Sequence, residues 1–394
     1  MIKKLLVTAL ALGLLVPVAA CTQQGSSAGP VKIGVVLSTT GLLGPMGTDM
    51  MKAADLAAKE INASGGVLGK QVQLVEEDDT TDAAKALERV KKVVEVDGVQ
   101  AIVGGMISGA AMAAGPYIST KGVVMVTPSA TSPAISDQPW KEWLFRTVPH
   151  DGFQGAVLAN FVIQKGYTKL ATMVQDNPYG IGLEKAMVDA LKANNWNGKQ
   201  VVSVHFDPAK KDYRTELDQI KSSNPDVVLA VTYAEDGIIV FKQASEMGLD
   251  KIAWLGCDGN YGDGMFAEPV AAAFMASSLV AGTRAAGPSG TTYDKFAAAY
   301  KAFAGKDPSV YCDTTYDAVK MIAAAMNKAG KTDGASVKAE LLKLGKNYDG
   351  ASGSITFDAK GDRVSGTFEL WKVVQDPTAK TGYKNVQITT VAMK

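Results

Sequence analysis

The chain has 394 residues, with 40 basic and 40 acidic side chains and no formal net charge. A balanced charge without a basic tract argues against a nucleic-acid partner, and two histidines and three cysteines argue against a metal enzyme or a disulfide scaffold. The length exceeds what one hydrophobic core usually serves, so two domains are expected.

The N-terminus has the organisation of a secretory signal. Two lysines precede an apolar run too short to span a membrane, and the run ends in Val18-Ala19-Ala20-Cys21. These four residues resemble a bacterial lipobox, which implies cleavage before Cys21 and a diacylglycerol on its thiol. An ordinary signal peptide with an incidental cysteine is the alternative. We expect residues 1–20 to be a lipoprotein signal peptide and residues 21–30 a tether. The protein would then lie in the periplasm or on the exterior of the cell envelope, anchored to the membrane by lipid.

From residue 31 onwards, strand and helix patterns alternate. VKIGVVL predicts a strand, the apolar spacing over 48–63 predicts a helix, and QVQLVEEDD alternates as a second strand. TDAAKALERVKKVVEVDG predicts a helix with Thr81 or Asp82 as its N-cap, followed by the buried strand VQAIVGG. Residues 110–120 can be helical with a kink at Pro116, and the strand VVMVTP ends this series.

A second series of the same kind follows. The strand patterns are KLATMVQD, KQVVSVHFD, DVVLAVTY and KIAWLGCDG, and helical patterns separate them over 182–194, 213–222 and 237–246. Continuous Val/Ile runs between helices are typical of a parallel sheet covered on both faces. Two successive series therefore predict two lobes, and WLFRTVPHD between them suits a crossover.

In order and spacing, these segments resemble the branched-chain amino-acid (leucine/isoleucine/valine) binding proteins of ABC transporters. The matching stretches are VKIGVVLSTTGLLGPMG, INASGGVLGKQVQLVEEDD, AIVGGMISGAAMAA, GVVMVTPSATSP, QDNPYGIGLEKA, PDVVLAVTYAEDG, WLGCDG and TTYDA. The resemblance implies the α/β type I periplasmic binding fold. Two Rossmann-like lobes, each a parallel sheet with helices on both faces, would be joined by three crossovers around a ligand cleft. It implies residues 31–148 plus 282–365 for lobe 1 and 149–281 plus 366–394 for lobe 2.

The resemblance assigns residues of the first series to the backbone groups of an amino-acid ligand. Ser108 follows AIVGG and opens a helix, so its hydroxyl and the helix N-terminus would hold the α-carboxylate, as helix N-termini do in general. Ser129, Ala130 and Thr131 follow VVMVTP, and their small side chains would let a ligand lie against the backbone. A carbonyl there would accept from the α-ammonium, while an N–H and the Thr131 hydroxyl would serve the zwitterion.

The second series would contribute the charge and the aromatic side chains. Tyr179 and Tyr233 stand at strand-to-helix transitions, where ligand-facing residues of α/β sheets cluster. Asp258 would pair with the α-ammonium, at a position where the family usually has Glu. Met46, where the family commonly has an aromatic residue, would line the side-chain pocket with Tyr311, which leaves aliphatic and aromatic amino acids both open.

Each of these residues also has a purely structural interpretation. The serines and the threonine could cap helices, the aspartate could belong to a turn before glycine, and the tyrosines could be core or loop aromatics. Cys257 and Cys312 could pair in an oxidising compartment or be two buried thiols. Neither His150 nor His205 has a Ser, Cys or carboxylate pattern around it that predicts a triad.

The sequence thus predicts the extracytoplasmic solute-binding component of an ABC importer, with a hydrophobic or branched-chain α-amino acid in the cleft. Its partners would be that amino acid, the transmembrane permease subunits and the membrane, and it would act as a monomer without cofactor, metal or nucleic acid. The alternative keeps the fold and changes the ligand to an aromatic carboxylate, an amide or another amino acid, including in a sensor. An enzyme is not expected, because no nucleophile, base or metal site is found.

Overall fold

The computed structural model describes residues 29–286 and 290–393, so the signal peptide, most of the tether and Cys21 lie outside the described residues. The first pass of the chain builds β1 (Val31–Leu37), α1 (Gly44–Ala63), β2 (Val72–Asp78), α2 (Ala83–Glu95), β3 (Ala101–Val103), α3 (Ser108–Lys121), β4 (Val124–Thr127) and β5 (Leu144–Arg146). The five strands form one parallel sheet in the order β2-β1-β3-β4-β5. We refer to the part built on this sheet as lobe 1.

The second pass builds α4 (Asp151–Lys165), β6 (Lys169–Gln175), α5 (Pro178–Ala193), β7 (Lys199–Phe206), α6 (Arg214–Ser222), β8 (Val227–Val231), α7 (Ala234–Glu246), β9 (Ala253–Gly256), α8 (Pro269–Ser278) and β10 (Leu279–Ala286). The chain then returns to lobe 1 with α9 (Thr291–Ala304), α10 (Cys312–Ala329), α11 (Gly334–Leu344) and the hairpin β11 (Tyr348–Gly350) and β12 (Gly353–Ile355). It ends in β13 (Gly366–Gln375) and β14 (Tyr383–Met393), which join a seven-stranded sheet of order β14-β13-β10-β9-β8-β6-β7. The part built on this sheet is lobe 2.

The two lobes confirm the predicted α/β fold, with one difference in the second sheet. Strands β13 and β14 run antiparallel to their neighbours, so this sheet is mixed where a parallel one was predicted. No helix separates β13 from β14, and a hairpin can join only antiparallel strands. The predicted lobe boundaries stay a prediction, and β10 crosses the one at 281/282.

Local sequence explains where the elements of lobe 1 begin and end. Asp82 is the N-cap of α2 and accepts a hydrogen bond from the Lys85 backbone N–H at 2.7 Å. Helix α3 continues through Pro116, at the loss of one backbone hydrogen bond, and ends at Gly122, whose φ of 65° is left-handed. The strands β3, β4 and β8 are buried along their whole length, as expected of sheets covered on both faces.

The carboxyl ends of the strands of both lobes meet at one place. One apolar core cluster includes residues of both sheets, among them Val126 of β4 and Val231 of β8. Cys257 and Cys312 are both buried free thiols, so the alternative of a disulfide between them is wrong. Within the described ranges, no helix is both long enough and apolar enough to cross a membrane.

Candidate functional site

A small cavity of about 20 Å³ lies between the carboxyl ends of β3 and β4 and those of β6, β8 and β9. That volume is close to what one water molecule occupies, so the lobes are closed upon each other here. Seven of the nine predicted site residues line it. The lining consists of Leu43, Met46, Met106, Ile107, Ser108, Ser129, Tyr179, Tyr233, Asp258, Gly259 and Tyr311.

Asp258 is the charged group at the centre of the cavity wall. Tyr179 Oη donates to its Oδ1 at 2.9 Å, Gln154 Nε2 donates to the same atom at 2.6 Å, and Tyr311 Oη donates to Oδ2 at 2.6 Å. Burial raises the pKa of Asp258, and these three hydrogen bonds offset that effect only in part. No cation of the described residues forms an ion pair with Asp258, so the carboxylate is solvated only by neutral donors.

The turn after β9 fixes the position of this carboxylate. Asn260 Oδ1 accepts from the Cys257 N–H at 2.9 Å, and Asn260 Nδ2 donates to the Ala230 carbonyl at 3.0 Å, which ties the turn to β8. Gly259 is needed because a Cβ there would stand 2.4 Å from the Thr232 carbonyl oxygen. Asp258 is therefore held by the fold and does not adapt as an exposed turn residue would.

The two tyrosines of lobe 2 stand at the N-termini of α5 and α7. Asn177 caps α5 by accepting from the Tyr179 and Gly180 N–H groups at 3.0 and 2.9 Å. Tyr233 is the N-cap residue of α7, and its ring stacks on Tyr179 with centroids 5.6 Å apart. Burial, followed by the charge of Asp258, raises the pKa of both phenols well above the usual value. Both hydroxyls thus remain donors at neutral pH.

Lobe 1 presents neutral polar groups opposite this charge. Ser108 is the first residue of α3, whose N-cap residue Ile107 has no capping side chain. The unpaired N–H groups of a helix N-terminus attract anions, and Ser108 Oγ, which accepts from the Ser132 N–H at 3.1 Å, can still donate its own proton. Ser129 also lines the cavity, and its Oγ donates to the Met106 carbonyl at 2.7 Å.

Ala130 and Thr131 are not among the lining residues, and their ligand roles stay predictions. Ala130 packs in an apolar cluster of lobe 1, and its N–H donates to Thr127 Oγ1 at 3.0 Å. The Thr131 hydroxyl is buried without a hydrogen-bond partner among the described residues. It nevertheless lies next to the Asp151 carboxyl, and its interaction lowers the pKa of that group against the effect of burial.

Asp151 is a second buried acid that the sequence analysis missed. It opens α4 directly after the first crossover, its N–H donates to the Thr131 carbonyl at 2.8 Å, and both of its carboxylate oxygens lack a hydrogen-bond partner among the described residues. Burial, and then the charge of Asp258, raise the pKa of Asp151 well above the usual value of an aspartate, against the opposing effects of the Thr131 hydroxyl and the Arg146 charge. The two acids therefore oppose each other's ionisation.

The remaining wall of the cavity is apolar. Met46, Leu43, Met106 and Ile107 line it from lobe 1. Tyr311 adds an aromatic ring, and its backbone has the left-handed φ of 67°, which is uncommon for a bulky residue. Such strain persists where the surrounding structure fixes a residue, and here it directs the Tyr311 hydroxyl across the cleft to Asp258 of lobe 2.

His205 lies apart from the cleft, on the edge strand β7. The structure does bring a serine and a carboxylate to it: Glu184 Oε2 lies 2.7 Å and Ser203 Oγ 3.2 Å from His205 Nε2. A catalytic relay needs the acid and the serine on different ring nitrogens, whereas both contact Nε2 here. Within the described residues, no group of three or more potential metal-binding side chains occurs.

Comparisons with known proteins agree with this geometry. A sequence profile of the family described as "Periplasmic binding protein" matches residues 30–378. A Leu/Ile/Val-binding protein of Rhizobium johnstonii is 30% identical over 346 residues, covering 87% of this chain and 91% of the relative. A crystal structure of a branched-chain amino acid substrate-binding protein from Streptococcus pneumoniae in complex with isoleucine has a TM-score of 0.77 and 26% identity, and covers 91% of this chain and 99% of that one.

A third comparison involves a different ligand. A solute-binding protein of an ABC transporter from R. palustris in complex with benzoate has a TM-score of 0.78 at 21% identity, covers 93% of this chain and 97% of that one, and shows the shared fold. The chain belongs to the periplasmic binding protein family. Membership in a family of binding proteins confirms that the chain is not an enzyme.

Proposed function

We propose that the protein is the extracytoplasmic solute-binding component of an ABC importer and binds a hydrophobic or branched-chain α-amino acid in the cleft. The single observation that carries this proposal is the pair of buried acids, Asp258 and Asp151, that form no salt bridge within the described residues. The first residue of α3, Ser108, lines the same cavity as Asp258. An α-amino acid supplies both complements: its ammonium for the acids and its carboxylate for the helix end and Ser108.

The apolar part of the wall favours an apolar side chain on that amino acid. Met46, Met106 and Ile107 offer no hydrogen-bonding side chain, so a polar ligand side chain would lose its water contacts without replacement. The Leu/Ile/Val-binding relatives support the same ligand class. Discrimination among apolar side chains amounts to about 1–3 kcal/mol for each methylene, which is why the proposal names a class.

An aromatic carboxylate is the second candidate, favoured by the stacked rings of Tyr179 and Tyr233 and by the benzoate complex of the R. palustris protein. Such a ligand has no ammonium. Its negative charge would enter a site in which Asp258 and Asp151 are already poorly solvated, and like charges raise the cost further. The two buried acids therefore favour an amino acid over an aromatic carboxylate as the ligand.

The small cavity implies a conformational cycle. A volume of about 20 Å³ is far below that of typical ligand sites, so the lobes must separate before a ligand enters and close again around it. The permease would then recognise the closed conformation. The lipobox resemblance supports a lipid anchor at Cys21 and a location outside the cytoplasmic membrane, with the protein acting as a monomer.

A thermal-shift screen of the mature protein tests the ligand class. The panel contains the twenty amino acids, benzoate-type acids and amides, and it pairs leucine with 4-methyl-2-oxopentanoate, the same carbon skeleton without the amine. A ligand at 100 times its Kd adds about 2.7 kcal/mol to the free energy of unfolding. We expect apolar amino acids to raise the melting temperature and the oxo acid to have no effect.

Two outcomes would reject the proposal. Equal shifts with leucine and its oxo acid would show that the acids do not recognise an amine. A shift with benzoate-type acids alone would establish the second candidate.

A further inference from the structure

We infer that lobe 1 docks onto an anionic phospholipid surface with the face from which the tether emerges, an inference that rests on the proposed lipid anchor. An open groove of about 520 Å³ marks this face. It is bordered by Gly29 and Pro30, where the described chain begins, and by Lys32, Lys70, Lys331 and Asp333. We refer to it as the tether groove.

The charge of the tether groove is positive. Among the described residues, none of its three lysines forms an ion pair with a carboxylate. The Lys32 ammonium donates to the carbonyl of Asp97 at 3.1 Å. Asp333, the one carboxylate among the described lining residues, accepts from the Ser336 N–H at 3.0 Å as the N-cap of α11. Lys331 already acts on Asp333, whose pKa its charge lowers, but three ammonium groups against one carboxylate leave a net positive charge for phospholipid headgroups.

An apolar side chain projects beside these lysines. Val67 and Lys70 pair across a tight turn, and Leu68 at its tip has a φ of 52° and is 39% exposed. Cations together with a projecting apolar residue are the combination by which proteins bind the interfacial region of a bilayer. A partner protein of opposite charge would contact the lysines alone. A bilayer would contact the lysines with its charged headgroups and Leu68 with the apolar layer beneath them.

The position of the tether makes this contact short-range. Cys21 and Gly29 are eight residues apart, and a fully extended chain covers at most about 29 Å over that distance. An anchor in the bilayer thus keeps the tether groove within about 29 Å of the lipid headgroups. The cleft lies at the opposite ends of the strands, about 23 Å away along the seven residues of β1. Docking would leave the cleft open to solutes.

Lobe 2 provides an internal control. It has a groove of about 180 Å³ at the start of β7, lined by Lys192 and Lys199, but no tether emerges there. The experiment uses the full mature protein in vesicles of phosphatidylglycerol with phosphatidylcholine, and in vesicles of phosphatidylcholine alone. A limiting amount of an amine-acylating reagent labels exposed lysines, and mass spectrometry of the peptides quantifies the label and detects the lipid on Cys21.

We expect labelling of Lys32, Lys70 and Lys331 to fall about fivefold on the anionic vesicles, in line with the attraction of one lysine to an anionic surface. The protection should vanish at about 1 M salt, and Lys199 should label equally on both vesicles. The double substitution Lys70→Gln/Lys331→Gln should abolish the protection of Lys32, and Lys192→Gln/Lys199→Gln should leave it intact.

Each failure has its own signature. A lipid-bearing Cys21 peptide together with unprotected tether-groove lysines would overturn the docking inference alone. Equal protection on both vesicle types would overturn the charge recognition on which it depends. An unmodified Cys21 peptide would reject the anchor and the docking with it, while the amino-acid proposal would still be decided by the thermal-shift screen.

Discussion

Buried aspartates occur both in the cleft and at the crossovers between the lobes, and their surroundings differ. At the crossovers, Arg146 Nε contacts Asp362 Oδ1 at 2.5 Å and Lys141 Nζ contacts the same atom at 3.0 Å. Burial alone would raise the pKa of Asp362, but the hydrogen bond and charge of Arg146 outweigh it and lower that pKa well below the usual range. At the cleft, neither Asp258 nor Asp151 forms a salt bridge within the described ranges. The charge of Arg146 lowers the pKa of Asp151 only in part, and burial raises the pKa of both acids.

The difference shows that the chain neutralises its buried acid in one region and leaves the buried acids of the other region without an ion pair. The crossover acid is neutralised by its own chain, which fixes the geometry about which the lobes move. Asp258 and Asp151 have no salt-bridge partner within the described ranges, so the ammonium of the proposed ligand would restore stability that the empty protein lacks there. The predictions below test this contrast, from the largest expected effect to the smallest.

Substitution of the crossover acid should cost the most stability. Asp362→Asn leaves the Arg146 and Lys141 cations buried without a carboxylate, and breaking such a pair costs about 3–5 kcal/mol. Because the pKa of Asp362 is lowered in the folded state, its stabilisation is present above the unfolded pKa near 4 and is lost as the pH falls below that value. Urea unfolding at pH 7 and at acidic pH should therefore show a deficit that shrinks in acid.

The matched control is Asp189→Asn, which removes an exposed ion pair with Lys185 on α5. Exposed pairs contribute little to stability, so this variant should unfold like the parent. An equal loss in both variants would show that burial at the crossover has no special role.

Substitution of the central cleft acid should affect binding instead. Asp258→Asn keeps the shape of the side chain but removes the charge that faces the ammonium, and losing one partner of a buried charge pair costs about 2–5 kcal/mol. Titration calorimetry should show a Kd for the amino acid that is about 30- to 5,000-fold higher. Asp263→Asn, an exposed acid five residues further along, should leave the Kd unchanged. Parent-like affinity in Asp258→Asn would remove Asp258 from the ligand contacts.

The sequence supports the fold more fully than it supports the site. Alternating strand and helix patterns place Ser108, Tyr179 and Asp258 after strands, and strand ends of parallel sheets converge by geometry alone. These residues could therefore be found from local pattern together with family resemblance. The antiparallel direction of β13 could not be predicted in this way, because its pairing depends on where the third crossover places the chain.

Asp151 and Gln154 show most clearly which site residues could not be predicted from the sequence. They lie on a helix after a crossover, and the packing of that helix against the sheet of lobe 2 brings Gln154 within 2.6 Å of Asp258. The available signal was an aspartate at a helix start directly after RTVPH, which taken alone favours a solvent-exposed helix start. Ala130 illustrates the converse, since a small residue in the right segment packs into the core of lobe 1.

Asp151→Asn should stabilise the protein in the absence of ligand. Because the pKa of Asp151 is raised by folding, its favourable contribution is complete below the unfolded pKa near 4 and is lost as the pH rises through the folded pKa. Asparagine resembles the neutral acid at every pH. We expect the variant to melt about 2–4 °C above the parent at pH 8 for each kcal/mol regained, and at the same temperature near pH 4.

Calorimetric scans of parent and variant across this pH range provide the measurement. His150, whose pKa is lowered by burial to about 4, is present in both proteins and cancels in the difference. Asp263→Asn, a substitution of an exposed acid, is the matched control variant in these scans. A variant that melts below the parent at pH 8 would mean that Asp151 already has a stabilising partner in the empty protein.

The smallest expected effect concerns the Thr131 hydroxyl, which is buried without a partner among the described residues. Thr131→Val keeps the shape of the side chain and removes that hydroxyl, so the empty protein should melt at the same temperature or slightly higher. If the hydroxyl bonds the zwitterion in the closed complex, the Kd should rise about 2- to 12-fold, the value of one neutral hydrogen bond. Thr283→Val removes another buried hydroxyl that lacks a partner within the described ranges, at a residue that does not line the cavity, and should leave the Kd unchanged. Unchanged affinity in Thr131→Val would restrict recognition of the ammonium to the two acids, because the hydroxyl would then act only on its neighbour Asp151.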